Sequence, residues 1–110
     1  MAAYLIANVK VTNDAWIPAY AAKVHGIVHK HGGKYLTRSA SIKPLEGDAP
    51  DVTVIAVVQF PSVADAEAFV RDPEYAPFAA ARKEGSISQF YILDDTDVVG
   101  TIPYLSKASG

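Results

Sequence analysis

The sequence predicts one α+β domain of the ferredoxin-like βαββαβ type, in which a four-stranded antiparallel sheet carries its helices on one face. Four short segments are rich in residues typical of strands, and two longer regions between them repeat apolar residues at helical spacing. A length of 110 residues suits a single domain. The order of these segments, joined by right-handed crossovers, gives the βαββαβ topology.

The first strand is predicted over residues 3–11, because Leu5, Ala7 and Val9 give it one fully apolar side. A helical period begins at Trp16, after three residues that can cap a helix, Thr12, Asn13 and Asp14. The apolar stripe of this helix comprises Trp16, Tyr20, Val24, Ile27 and His31. Gly32-Gly33 ends the helix, since glycine readily takes the left-handed conformation at a C-cap.

The middle of the chain predicts two strands separated by a loop. Residues 34–43 are assigned to the second strand, and residues 44–50, bounded by two prolines, to a turn or loop. Residues 52–60 are almost continuously apolar and β-branched, which is typical of a central strand covered on both faces. Pro61 ends this third strand.

The last part of the domain predicts a broken helix and a strand. Ser62 is placed as the cap of the second helix, with Asp65 completing an approximate capping box. Asp72-Pro73 breaks this helix and starts a third piece, with Asp72 as its cap and Pro73 as its first residue. Gly85 ends that piece, and residues 87–93 form the fourth strand.

A second apolar face of the sheet predicts a homodimer. Alternation along the strands leaves apolar residues on the face away from the helices, and 110 residues supply no further cover for it. We expect a second copy to cover this face across a two-fold axis, which gives a dimeric α/β barrel. Residues 1–95 form the domain, and residues 96–110 form an extended tail that can pack on the partner subunit.

Composition and charge exclude several classes of function. The net charge of −2 gives no attraction to nucleic acid or to anionic membranes. Without cysteine, the chain has no disulfide, thiolate metal site or cysteine nucleophile. No basic region precedes an apolar one at Met1, and no apolar run is long enough to span a membrane. These features predict a cytoplasmic protein.

Several short elements between about residues 3 and 94 form a recognisable pattern: Tyr4-Leu5-Ile6-Ala7-Asn8-Val9, His31-Gly32-Gly33-Lys34-Tyr35-Leu36, Arg38, Leu45-Glu46-Gly47-Asp48, Phe60-Pro61-Ser62, Asp72-Pro73-Glu74-Tyr75 and Arg82. With this pattern the chain resembles the domain of unknown function family 1330 of the dimeric α/β barrel superfamily. The resemblance implies a ferredoxin-like protomer and a dimer whose two sheets form a barrel. It implies no activity, because the wider superfamily includes oxygenases, haem enzymes, isomerases and binding proteins.

Five positions depart from the family pattern. Gln59 stands where an acidic residue is usual, and Thr53 stands where an arginine is common. Phe69-Val70 replaces a typical Trp-Tyr pair, and Asp72 replaces a typical serine.

The three histidines are candidates for different roles. His25 and His29 are one helical turn apart, a spacing that can hold zinc, but no further ligand on that helix completes a site. We therefore expect two surface histidines and no metal. His31 lies on the inner stripe and either binds the last carbonyls of the helix or faces a pocket. Its place before Gly32-Gly33 favours the helix end.

Arg38, Glu46, Tyr75 and Arg82 form the best candidate set for ligand binding. An arginine can hold a carboxylate in a two-point fork, and Tyr75 can donate a hydrogen bond to a ligand oxygen. Alternatively, Glu46 pairs with one arginine and the set is structural. The aromatic residues Trp16, Tyr20, Tyr35 and Phe78 can line a pocket, although aromatic residues at helical spacing are more typical of a core.

Two classes of function follow from these candidates. In the first, a pocket between sheet and helices binds or transforms a small organic acid or aromatic compound, by cofactor-free oxidation or isomerisation. In the second, the protein is a non-catalytic dimeric binding or stress-related protein. A cavity with an unpaired arginine favours the first class, and a solid core with both arginines paired favours the second.

Overall fold

Residues 1–99, the part of the chain that the computed structural model describes, contain four strands and three helices. Their order and bounds are β1 (Ala3–Val11), α1 (Ile17–Lys30), β2 (Lys34–Ser39), β3 (Val54–Phe60), α2 (Val63–Val70), α3 (Ala76–Glu84) and β4 (Ser86–Asp94). The predicted α+β class is confirmed. No helix in this part of the chain is long and apolar enough to cross a membrane.

The sheet has the strand order β2-β3-β1-β4, and every neighbouring pair is antiparallel. Ala7 in β1 lies between Ala56 in β3 and Phe90 in β4, which fixes the register across the sheet. The apolar run of β3 accordingly occupies a central position, as predicted. On β1, residues Leu5, Ala7 and Val9 are buried towards the helices.

The core between sheet and helices is built around stacked aromatic rings. Phe69 of α2 lies 5.7 Å from Phe60 of β3 and 4.4 Å from Tyr75, the residue before α3, measured between ring centroids. Val24 and Val28 of α1 are buried in the same cluster. Burial of each such side chain stabilises the fold by about 1.5–3 kcal/mol. The stack thereby holds β3, α2 and the start of α3 together.

Helix α1 begins and ends as its sequence suggests, but its cap is different. Trp16 is the N-cap residue and makes no side-chain capping bond. The Asn13 side chain instead accepts a hydrogen bond from Ala15 N at 2.9 Å, a short local turn that precedes the helix. At the other end, His31 is the C-cap residue and Gly32 has a φ of 77°, the left-handed conformation that favours glycine.

Two predicted boundaries are wrong because serine and aspartate side chains form local turns. Strand β2 ends at Ser39 and not at residue 43, where the Ser39 hydroxyl accepts a hydrogen bond from Ser41 N. Helix α3 begins at Ala76, with Tyr75 as its N-cap residue. The predicted start at Pro73 is therefore three residues early, although Asp72 does cap the turn that leads into the helix, since its carboxylate accepts from Glu74 N at 2.8 Å and its carbonyl accepts from Ala76 N at 3.2 Å.

The face of the sheet away from the helices is open in the single chain. Ile87, Tyr91 and Leu93 of β4 lie on it and are 52–55% exposed. Ile6 pairs with Tyr91 and also with Val57 on its other side, so the apolar surface continues across β1 to β3. The predicted tail over residues 96–110 falls mostly outside the described residues.

Gly85, the C-cap of α3, is packed against the start of α1, and this contact generates a prediction. A Cβ atom there would lie 2.6 Å from Trp16 Nε1 and 2.7 Å from Asn13 O. We expect Gly85→Ala to lower the free energy of unfolding by about 1–3 kcal/mol through overpacking. Urea unfolding measures the change.

Gly26, in the middle of α1, provides the matched control. A Cβ atom at this position meets nothing within 4 Å, so Gly26→Ala should raise stability by about 0.5–1 kcal/mol. Equal stability of the Gly85→Ala and Gly26→Ala proteins would show that the Trp16 contact is not tight.

Candidate functional site

A cavity of about 210 Å³ lies between the sheet and the first half of α1. Its floor is apolar and comes from alternate residues of β1 and β3, including Leu5, Ala7 and Val58. Trp16 and Tyr20 line it from the side of α1. The buried residues of α1, Val24, Ile27 and Val28, all lie in its second half, whereas Tyr20 in its first half is only partly buried, and the cavity lies beneath that first half.

Arg82 is the charged group inside this cavity. It lies in the last turn of α3 and is 5% exposed. Its guanidinium carbon lies 4.1 Å from the centroid of the Phe90 ring, a cation–π contact. Its Nε atom has no hydrogen-bond partner, and within residues 1–99 no carboxylate forms an ion pair with it. Arg82 is therefore a buried cation without a counter-charge in this part of the chain.

Arg38 lies at the entrance of the same cavity. Its guanidinium carbon is 3.9 Å from the centroid of the Tyr35 ring, and the side chain is exposed. A bulge between Tyr35 and Thr37 shifts the register, so that Tyr35 and Arg38 both lie on the helix-facing side of β2. Burial raises the pKa of the Tyr35 hydroxyl, and the charge of Arg38 opposes that rise.

Tyr20 and Tyr75 join the cavity to the core through their hydroxyl groups. The two oxygens are 2.6 Å apart, and the rings meet edge to face at 6.0 Å. Tyr20 lines the cavity, and Tyr75 is 1% exposed. Burial, reinforced by Tyr75, raises the pKa of Tyr20 well above its usual 10.0. The Tyr20 hydroxyl therefore stays protonated near neutral pH.

His31 belongs to an ionic cluster outside the cavity, at the C-terminal end of α1. Its Nε2 lies 2.7 Å from Asp72 Oδ2, and Lys30 Nζ lies 2.9 Å from the same oxygen. Hydrogen bonds from His31, from Glu74 N and from Lys30 lower the pKa of Asp72. His31 is the C-cap residue of α1, but its ring bonds to Asp72 instead of to the last carbonyls of the helix, and the sequence reasoning did not identify this partner.

Glu46 lies apart from both arginines. It is exposed in the loop between β2 and β3, and no ion pair within residues 1–99 joins it to Arg38 or Arg82. Of the candidate set, Arg38 and Arg82 share the cavity, Tyr75 reaches it through Tyr20, and His31 and Glu46 lie elsewhere.

The remaining candidates are aromatic and histidine side chains. Trp16, Tyr20 and Tyr35 line the cavity, and Phe78 packs against the core instead. His25 and His29 are exposed, as expected of surface histidines, with ring centroids 4.5 Å apart. Within residues 1–99, no group of three potential metal-binding side chains comes together.

The chain belongs to the family Domain of unknown function (DUF1330), whose model matches residues 2–96. No curated protein matches it significantly.

Several solved structures have a similar fold. RPA0582 from Rhodopseudomonas palustris, a protein of unknown function, superposes with a TM-score of 0.71 at 17% identity, over 87% of this chain and 83% of its own. SnoaB from Streptomyces nogalater, a cofactor-independent oxygenase, gives 0.61 at 12% identity, over 87% and 94% of the two chains. Rv0793 from Mycobacterium tuberculosis gives 0.51 at 13% identity, over 88% and 97%. At these identities the likeness establishes the fold alone.

The cluster around Asp72 predicts a pH-dependent contribution to stability. Because its pKa is lowered in the folded chain from the usual 3.8, Asp72 stabilises the fold above about pH 4, and this contribution is lost as the pH falls further. We expect Asp72→Asn to lower the melting temperature at pH 7 and to differ less from the unmodified protein at pH 3. Thermal unfolding at both values measures this.

Glu67→Gln is the control for Asp72→Asn. Glu67 pairs with Arg71 at 3.4 Å on the exposed side of α2, where an ion pair contributes little. A melting temperature lowered equally by both substitutions at pH 7 would contradict the role given to Asp72.

Proposed function

We propose that this chain is a cytoplasmic homodimer that binds a small aromatic carboxylate in the cavity, with Arg82 as the partner of the anionic group. The observation that carries the proposal is the burial of the Arg82 guanidinium in an apolar cavity with no carboxylate paired to it within residues 1–99.

The electrostatics of Arg82 favour an anionic ligand. A buried charge without a partner is unfavourable, because it has lost water and gained no counter-charge. The contact with the Phe90 ring offsets part of this, by about 0.5–2 kcal/mol. A carboxylate can accept two parallel hydrogen bonds from a guanidinium, which makes it a suitable counter-charge. Binding of such a ligand would neutralise the site.

The size and lining of the cavity favour one aromatic ring. A cavity of ~150 Å³ with apolar walls can hold benzene, and this one measures about 210 Å³. The additional volume leaves room for a carboxylate and one further small group on the ring. Trp16 and Tyr20 offer aromatic surfaces to it, and Phe90 lies beside Arg82.

The donor set of the cavity favours chemistry without a bound metal. Among the described residues that line it there is no histidine, aspartate, glutamate or cysteine. The proposed reaction class is a cofactor-free oxidation or isomerisation of the bound acid. SnoaB, which shares the fold, is a cofactor-independent oxygenase. Incubation of the purified protein with a bound acid in air, followed by mass spectrometry of the small molecules, separates this from a purely binding role.

Benzoate and its neutral analogue benzamide test the role of Arg82. Trp16 is the single tryptophan and lines the cavity, so its fluorescence reports binding. We expect benzoate to bind at least about tenfold more tightly than benzamide, because its charge meets the guanidinium. Arg82→Gln should remove that preference and leave the melting temperature unchanged or higher, since an unpaired buried charge is lost.

Arg71→Gln serves as the control for Arg82→Gln, because Arg71 is 78% exposed on α2 and lies outside the cavity. It should bind benzoate as the unmodified protein does. Equal benzoate affinity of the Arg82→Gln protein would refute the proposed anion site.

The homodimer is the second part of the proposal, and the open face of the sheet supports it. Ile87, Tyr91 and Leu93 form an exposed apolar surface that a second copy would cover through a two-fold contact. The likeness of the fold to that of dimeric α/β barrel proteins supports such a contact.

Two lysines on this face should separate the subunits. By native mass spectrometry we expect the unmodified protein to have twice the mass of one chain. The double variant Tyr91→Lys with Leu93→Lys should have the mass of one chain, because the contact would bury two unpaired charges from each subunit. Val70→Lys, on the exposed side of α2, should leave the dimer intact. A monomeric unmodified protein at micromolar concentration would overturn this part of the proposal.

A further inference from the structure

The hydroxyl pair of Tyr20 and Tyr75 carries two hydrogens and uses one of them. One hydroxyl donates to the other across 2.6 Å, and the accepting hydroxyl keeps its own hydrogen for a different acceptor. Which tyrosine accepts decides where that second hydrogen points.

Burial assigns the direction of this hydrogen bond. Tyr75 is 1% exposed and stacks on Phe69, so a hydrogen that it did not give to Tyr20 would be left without water. Tyr20 lines the cavity, where a ligand oxygen or a water can accept. Tyr75 therefore donates to Tyr20, and the hydrogen of Tyr20 is directed towards the cavity.

The neutral donors of Trp16, Ser86 and Ser88 are already used, and Tyr35, the other tyrosine that lines the cavity, lies beside Arg38 instead of Arg82. Trp16 Nε1 donates to Gly85 O at 3.1 Å. Ser86 donates to Arg82 O, which requires Ser88 to donate to Ser86 across 2.6 Å. Tyr20 thus places a free neutral donor in the same cavity as the Arg82 guanidinium. The charge of Arg82 opposes part of the rise in the pKa of the Tyr20 hydroxyl.

We propose that Tyr20 is a specificity-determining residue, whose hydroxyl, oriented by Tyr75, donates a hydrogen bond to the ligand carboxylate that Arg82 pairs with. This inference rests on the proposed function. It makes Tyr75 a positioning residue that acts only through Tyr20. It also narrows the ligand class to acids whose carboxylate reaches the inner part of the cavity, where guanidinium and phenol are both present.

Tyr20→Phe tests the donor directly, with benzoate and toluene as probes. A hydrogen bond to a charged group is worth enough that its loss should weaken benzoate binding about tenfold or more. Toluene has the same ring and no acceptor, so its affinity should be unchanged if the cavity keeps its shape. Tyr4→Phe, on the opposite face of the sheet, should change neither affinity. Thermal unfolding of each variant confirms that it is folded.

Tyr75→Phe tests the positioning role through a double-mutant cycle. It should weaken benzoate binding several-fold when Tyr20 is present and should have no further effect in the Tyr20→Phe background. Equal weakening in both backgrounds would overturn the relay through Tyr20. Benzoate affinity unchanged in Tyr20→Phe, or toluene affinity reduced as much as that of benzoate, would overturn the donor itself.

The same titrations separate this inference from the proposed function. If Arg82→Gln abolishes the preference for benzoate over benzamide while Tyr20→Phe leaves the benzoate affinity unchanged, the anion site at Arg82 is supported and the role of Tyr20 is refuted. If the unmodified protein binds toluene and not benzoate, both fall.

Discussion

The stack of Phe60, Phe69 and Tyr75 is the contact on which the candidate site depends. It joins the end of β3 to α2 and to the first residue before α3, so it sets where α3 starts and how far the helices stand from the sheet. Arg82 lies two turns along α3 from Tyr75 and faces the same interior because residues seven apart share a face of a helix. The ring that completes the core therefore also directs the cation into the cavity.

The cavity results from unequal packing along α1. The second half of that helix is held on the core by Val24 and Val28, and its C-terminal end is held by the contact of His31 with Asp72. The start of the helix carries the large rings Trp16 and Tyr20, which meet each other edge to face at 5.2 Å and line the cavity. Small side chains beneath them, Ala7 and Ala56, leave the remaining space unfilled. Large residues above small ones thus leave a cavity beside the well-packed second half of the helix.

The sequence predicted the fold well because periodicity and glycine positions are local signals. The strand at β1, the helix ended by Gly32-Gly33 and the central β3 all follow from spacing within a few residues. The errors come from side chains that bond to nearby backbone, such as Ser39 at the end of β2 and Asp72 before α3. Such residues favour a cap and a turn equally, and tertiary contacts decide between them.

The site was only partly predictable, for physical reasons that differ between residues. Arg38 and Tyr35 are three positions apart, and strict alternation would put them on opposite faces of β2; only the bulge brings them together. Tyr20 and Tyr75 are 55 residues apart, and no spacing rule connects them. Arg82 was among the candidates, but its lack of a counter-charge is a property of three-dimensional packing.

The missing counter-charge of Arg82 and the unfilled cavity beside it both affect the stability of the fold. A cavity and an unpaired buried cation both lower stability, and a chain of 110 residues has a small margin of stability with which to tolerate them. Packing alone would favour larger residues at Ala7 and Ala56 and an apolar residue in place of Arg82. One occupant with a ring and a carboxylate removes both defects at once, because the ring fills the apolar space and the carboxylate pairs with the guanidinium. The two defects are complementary in chemistry as well as adjacent in space, and this joint fit is the physical argument for a bound aromatic acid.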